Sequence, residues 1–348
     1  MINFRKPAVL IVMLGLLLGS AALFYFQRQE MPAWKWNVES HRLPAGQLEF
    51  GSAAVDGKIY LIGGMDNEAR PIDRIDRFDP EHGILQTLAN LPFALHHPAV
   101  AALGETIYIA GGFSFAPGDD KRQLKEEVRV FAFNARTGIL REVASLPEPK
   151  SAFELVAHNG YLYAIGGQDG NFRSMNTVER YDPERNMWEP VAPLVFPGNH
   201  LTAFSDGSRI FALGGRVYQN TPHEIVVRNY DAIQIYDPGT NQWRLSPIKM
   251  PRGKSGHAGV MISNRFIIVY GGEEYATAVG ETHIFDTATN SWQNGPTLNI
   301  PRHGLGDGIF FNGKVYAIAG SPRYGLGATD TVETLTVDIA ALELLFRR

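Results

Sequence analysis

Short apolar stretches, each closed by a glycine pair or its near-equivalent, recur along the chain: IYLIGG at 59–64, IYIAGG at 107–112, LYAIGG at 162–167, IFALGG at 210–215, IIVYGG at 267–272 and VYAIAG at 315–320. The first member of each pair falls at 63, 111, 166, 214, 271 and 319, a spacing of 48 to 57 residues. Short apolar runs bounded by turn residues read as buried strands. Turn signals such as Asp56-Gly57 and Asn159-Gly160 precede the runs, which makes each run the second arm of a hairpin. Downstream comes an aromatic–acidic step at Phe78-Asp79, Tyr181-Asp182, Tyr236-Asp237 and Phe285-Asp286, with Phe133-Asn134 as a variant. Seven positions beyond each aromatic stands a large residue: Leu85, Leu140, Trp188, Trp243 and Trp292. The intervening Pro, Asn and Gly are turn chemistry. Each unit therefore predicts four short antiparallel strands, and the period points to a propeller or repeat array.

The unit resembles the kelch repeat, in which a Gly-Gly after the second strand is followed by a Tyr-Asp and a Trp. YDPERNMW at 181–188 and YDPGTNQW at 236–243 carry the resemblance, which extends over residues 36–338. It implies an all-β, six-bladed kelch-type propeller of four-stranded antiparallel blades. Seven outer strands compete for six blades. Trp36 lies 27 residues before Gly63, as Trp292 does before Ala319, and Leu344 also fits the outer register. The strand at 34–38 is the favoured closing strand, because it carries the Trp and removes an open edge.

The unbroken repeat makes residues 31–348 one domain. A formal net charge of −4 and a pI of about 6.2, with no long basic run, give no footprint for nucleic acid. There is no cysteine, so disulfides, thiol chemistry, lipoprotein attachment and a cysteine-cross-linked copper centre of the galactose oxidase kind are excluded. Residues 1–30 address the chain. Arg5 and Lys6 precede nineteen uncharged residues, 8–26, long enough to approach the roughly 30 Å hydrocarbon core. An uncleaved transmembrane helix is the favoured reading. A signal peptide cleaved near 20–22 is the alternative, although the apolar run continues past that point. Either puts the propeller outside, in a bacterial periplasm, with the anchored form in the inner membrane.

Chemistry is expected at the mouth formed by the loops after the glycine pairs, where kelch propellers usually bind. Gly63 to Phe78 and Gly166 to Tyr181 span 15 residues, whereas Gly111 to Phe133 and Gly214 to Tyr236 span 22. The additional residues lie in 113–127 and 216–229, and insertions in propeller blades commonly fall on the binding face. The second insertion carries Arg216, Tyr218, Gln219 and His223, suited to a polar or carboxylated ligand. Shorter loops add Arg173, Glu273, Glu274, Tyr275, Arg323 and Tyr324. Counting fourteen residues back from each pair reaches Glu49, His97, Ala152, His200, His257 and Leu305, a polar ring at the channel mouth. Side chains ringed about a wide channel rarely converge to metal-bond distance, so a ligand-lining role is preferred and neither metal nor cofactor is expected.

These residues, with Arg252 and Arg302, predict a non-catalytic module that captures a protein or glycan at the mouth. The alternative is a sugar mutarotase or epimerase, because the chain is similar in size, secretion and six-blade layout to bacterial sialic acid mutarotases. That resemblance implies a glutamate after a glycine step acting in proton transfer, with an arginine several residues on. Gly271-Gly272-Glu273 supplies the glutamate, and YATAVG at 275–280 lacks the arginine. In that reading Glu273 and His257 move protons while Arg216 anchors a carboxylate.

Overall fold

The computed structural model describes residues 34–115, 124–220, 225–323 and 327–347. Six four-stranded antiparallel sheets follow one another along the chain. From the innermost strand outward, the first sheet comprises Gly51–Val55, Lys58–Ile62, Arg74–Asp79 and Ile84–Asn90. The next four repeat that order, with innermost strands Ala99–Leu103, Glu154–His158, Thr202–Ser205 and Ala258–Ile262. The last sheet takes Ile309–Phe311, Lys314–Ile318 and Val332–Thr336 from the C-terminal part of the chain. Its outermost strand, Trp36–Val38, comes from the other end, paired Trp36 to Leu335. Residues around Leu344 form a short helix instead, Ile339–Leu345, capped by the Asp338 carboxylate. Each innermost strand packs beside the next, and the sixth returns to the first, so the six sheets are blades of a closed ring.

The repeated residues explain the blades. Asp56-Gly57, Asn159-Gly160 and Asn312-Gly313 have positive φ at both central positions, as a two-residue hairpin turn requires. Tyr181, Tyr236 and Phe285 lie directly across from Trp188, Trp243 and Trp292 on the neighbouring strand, with ring centroids 4.9 to 5.1 Å apart. The aromatics also join blades: Tyr60 meets Phe133, Tyr108 meets Tyr181, Tyr163 meets Tyr236, and Trp36 meets Tyr270. The apolar clusters accordingly sit between adjacent blades rather than within them.

The glycine pairs are the stitches between blades. The second member donates its amide to a carbonyl at the start of the following blade: Gly64 to Leu95, Gly112 to Lys150, Gly167 to Gly198, Gly215 to Lys254 and Gly272 to Arg302, at 2.8 to 3.0 Å. Gly320 donates to Gln47 at 2.8 Å, so the ring closes with the same bond that joins every other pair of blades. Both members hold positive φ, and a Cβ on Gly111 would stand 2.5 Å from the Lys150 carbonyl oxygen. Ala319 occupies the equivalent position in the sixth blade at φ 51°.

Among the described residues no helix is long and apolar enough to cross a membrane. The expected span at 8–26 lies outside the described residues.

Candidate functional site

The mouth is built from two rings of repeat positions. The inner ring consists of Glu49, His97, Ala152, His200, Gly256 and Gly304, all left-handed with φ between 49° and 60°. Backbone bonds run around it: His97 N to Glu49 O, His200 N to Ala152 O, Gly256 N to His200 O, Gly304 N to Gly256 O and Glu49 N to Gly304 O, at 2.8 to 3.2 Å. The ring narrows the channel to a neck and holds its side chains on a rigid frame.

In blades five and six its members are not the residues that a uniform count of fourteen reaches. The hairpin of blade five has a three-residue turn, with Ile262 opposite Phe266, where blade one has Val55 opposite Lys58. In blade six the additional residue falls between Gly304 and Phe311, again compared with 49 to 55 in blade one. His257 therefore lies one step past the ring and does not join His97 and His200. It is buried with Nε2 3.0 Å from Thr202 Oγ1, and burial pushes its pKa well below the usual imidazole range.

The outer ring is the residue directly after each glycine pair: Met65, Phe113, Gln168, Arg216, Glu273 and Ser321. Each forms an antiparallel bridge to the residue preceding the inner ring, among them Asn199 to Arg216, Ser255 to Glu273 and His303 to Ser321. Equivalent positions in neighbouring blades are side by side, which places the buried Arg216 guanidinium on the buried Glu273 carboxylate through Nη1 and Oε1.

Around this pair the rings interlock. Arg216 Nη2 lies 3.1 Å from His200 Nε2. His97 Nε2 is 3.2 Å from Glu49 Oε2. His303, buried and absent from the sequence-derived set, directs Nε2 to the Arg323 carbonyl at 3.0 Å. Its Nδ1 faces Glu49 Oε1 at 3.8 Å and Glu273 Oε2 at 4.0 Å. Burial, reinforced by Arg216, pushes His97 down to about 3 and His200 well below its ordinary value, so both imidazoles are neutral at pH 7.

Beside the cluster a 240 Å³ cavity is lined by Arg216, Val227, Asn229, Ser255, Glu273 and Tyr275. Asn229 Nδ2 holds the Glu273 carbonyl at 2.8 Å. Among the described residues two buried polar atoms here have no hydrogen-bond partner: the acceptor Glu273 Oε2 and the donor Arg216 Nε. Over them stands a tight hairpin, Glu273–Glu274 paired with Thr277–Ala278. Its tip residues Tyr275 and Ala276 hold φ of 48° and 61°, a costly conformation for a bulky side chain, and Tyr275 is 86% exposed.

The other sequence-derived residues are dispersed. Tyr218 lies over Arg216, with 5.3 Å from guanidinium carbon to ring centroid. Arg173 is an exposed loop residue held by Asp169 at 2.8 Å, as Arg70 is by Asp66. Arg252 is held by Glu274 and Glu281. Arg302 does not reach the mouth: it is wholly buried within blade six, 3.1 Å from Glu333, and binds the carbonyls of Thr331 and Ala317. The side chain of Arg323 is exposed. His223 and Tyr324 lie outside the described residues, as do 116–123 of the blade-two insertion. The described parts of both insertions are hairpin arms, Phe113–Phe115 with Leu124–Glu126 and Arg216–Asn220 with Ile225–Asn229. The polar pattern His303, Asn199 and Ser255, one residue before the inner ring, was available in the sequence. The unequal hairpins hid it.

Comparison with known proteins gives one consistent result. The KLHDC2/KLHL20/DRC7 Kelch-repeats domain matches residues 96–320, and the Kelch motif matches residues 48–89. The chain is 27% identical over 270 residues to Kelch-like protein 35 of Mus musculus, covering 77% of this chain and 42% of that protein. It is 27% identical over 258 residues to alpha-scruin of Limulus polyphemus, covering 71% of this chain and 27% of that protein. The chain therefore spans less than half the length of these relatives. The solved structure of YjhT superposes with a TM-score of 0.69 at 15% identity, covering 86% of this chain and 97% of that one, a likeness of fold. With six stitched blades and a kelch match across 96–320, the chain belongs to the kelch-repeat family.

Proposed function

We propose that this protein is a binding module that captures a hydroxyl-rich ligand, a glycan or a glycosylated partner, at the propeller mouth between blades four and five. The observation that carries the reading is the pair of buried atoms, Glu273 Oε2 and Arg216 Nε, that lack a partner among the described residues, beside a cavity lined by an exposed tyrosine. A single hydroxyl can donate to the carboxylate and accept from the guanidinium, which relieves two desolvated groups at once. A sugar ring also has an apolar face that Tyr275 can cover. We further propose that residues 8–26 hold the module in the inner membrane with the propeller in the periplasm, on the charge asymmetry and apolar length of that segment.

A second reading is anomer exchange on a sugar such as a sialic acid. It is favoured by an imidazole nitrogen, His303 Nδ1, 4.0 Å from Oε2 of the Glu273 carboxylate that lines the cavity. His257 drops out of that reading because it is buried against Thr202. NMR of N-acetylneuraminate and common hexoses with the full chain tests both. Line broadening or saturation transfer that is lost in Tyr275→Ala and Glu273→Gln supports capture, and its absence for every sugar overturns the glycan reading. Acceleration of anomer exchange that Glu273→Gln abolishes while binding persists would establish the enzyme.

A further inference from the structure

The neck of the channel brings together one carboxylate oxygen and one ring nitrogen from each of two histidines: Glu49, His97 and His200 offer donors that all lie within 4.8 Å of one another. We propose that Glu49, His97 and His200 bind a divalent transition-metal ion of the zinc type, leaving a fourth coordination position for a ligand. Two imidazoles and a carboxylate suit such an ion, and three protein ligands are the arrangement of an open rather than a structural site.

The backbone ring prearranges the donors. All three residues occupy left-handed inner-ring positions, and the His97 amide is bonded to the Glu49 carbonyl. Bonds of about 2.0 Å in a tetrahedron set donors about 3.3 Å apart. Glu49 Oε2 and His97 Nε2 already stand at 3.2 Å, so His200 alone has to close the remaining gap. The second ring nitrogens are held from behind. His200 Nδ1 contacts Asn199 Oδ1 at 2.6 Å, and the Asn199 amide donates to Ser174 Oγ at 2.7 Å, which puts the proton on Nδ1 and the lone pair on Nε2. His97 Nδ1 contacts His96 Nδ1 at 2.7 Å. Outer partners of this kind orient metal-binding histidines.

Arg216 is the competitor. Its Nη2 donates to the His200 lone pair that an ion would take. Bound to Glu273 through Nη1, Arg216 can release His200 and keep a carboxylate partner. The site thus meets the Arg216–Glu273 pair through that contact and through His303, whose Nδ1 faces both Glu49 and Glu273, and its failure would leave the glycan reading intact.

The test is titration of the chelator-stripped full chain with Co²⁺, read by visible d–d absorption, and with Zn²⁺, read by calorimetry and melting temperature. One ion per chain is expected, with a raised melting temperature. His97→Asn and His200→Asn are each expected to lose binding, asparagine being chosen because it tolerates the left-handed backbone. Asn199→Ser should weaken binding by about 10- to 100-fold. Arg216→Gln should tighten it, and His82→Asn, on an exposed turn, should leave it unchanged. If an asparagine variant fails to fold by circular dichroism, Glu49→Gln carries the same test. Absence of one-to-one binding by the wild-type chain, binding that survives both histidine replacements, or loss of binding in Arg216→Gln overturns the proposal.

Discussion

A buried carboxyl pair and a buried amine contribute opposite slopes to the stability of the propeller. Glu154 and Asp307 come from blades three and six, opposite each other in the ring, and their carboxyls interact across the channel. Burial raises both, Asp307 to about 7 from an ordinary 3.8, and the pair shares a proton. A raised carboxyl contributes stability that is fully present below its unfolded pKa and lost as pH climbs through its folded value. The Lys254 amine is wholly buried and donates to the Glu281 carbonyl at 3.2 Å; burial pushes it down to about 7 from 10.5. A depressed amine gives stability that is present above its unfolded pKa and lost as pH falls toward its folded value. In chemical denaturation the carboxyl pair should therefore contribute a fall in stability from 3.8 to about 7 at Asp307 and Lys254 a rise from about 7 to 10.5, superposed on the rise below 6.5 that the depressed His97, His200 and His257 contribute. Relative to wild type, Glu154→Gln should remove the falling contribution and Lys254→Met the rising one at alkaline pH. An unchanged profile in either variant would remove that group from the account.

At the scale of the element, the strand Trp36–Val38 carries more than its three residues suggest. Trp36 is 3% exposed, donates Nε1 to Thr282 Oγ1 at 3.0 Å and to the Pro296 carbonyl at 3.1 Å, and packs on Tyr270. It thereby fastens the sixth blade to the fifth while its backbone covers the edge of Val332–Thr336. Trp36→Ala should cost about 3–5 kcal/mol, as other large-to-small core replacements do. Deleting residues 34–38 would also bare a strand edge, and concentration-dependent association is the expected result in analytical ultracentrifugation. A monomeric deletion variant with wild-type stability would mean that the helix Ile339–Leu345 or another segment closes the blade.

For the whole molecule, six near-equivalent stitches make the ring a closed structure in which opposite blades face each other across the channel. Closure turns repeat positions into neighbours. Arg216 and Glu273, 57 residues apart, meet because they follow the glycine pairs of adjacent blades. Glu49, His97 and His200 meet because inward-facing positions converge at a neck. The membrane anchoring proposed for residues 8–26 is tested by fractionation of the whole molecule. The full chain should fractionate with membranes and resist alkaline carbonate extraction, whereas a chain lacking residues 8–26 should be extracted. Release of the full chain by carbonate would favour the cleaved, secreted form.

The blades were legible because their determinants are local and repeated. The glycine corner needs positive φ, the Asp-Gly and Asn-Gly turns set hairpin register, and Tyr181 with Trp188 is a cross-strand pair seven residues apart. Glu49, His97, His200, Arg216 and Glu273 could be nominated for the mouth from repeat position alone. His303 could not be ranked; His257 was placed there because the longer turn of blade five shifts its register by one residue, and Arg302, two positions before Gly304, packs inside as Lys150 and Lys254 do at that position of their blades. By itself the sequence determined the strands, their order and the face on which the insertions lie, all set by short-range backbone preference and periodicity. Only the tertiary structure decided which of the repeated polar positions touch, because that depends on the radius of the closed ring and on blade-to-blade register, to which residues far apart in the chain contribute together.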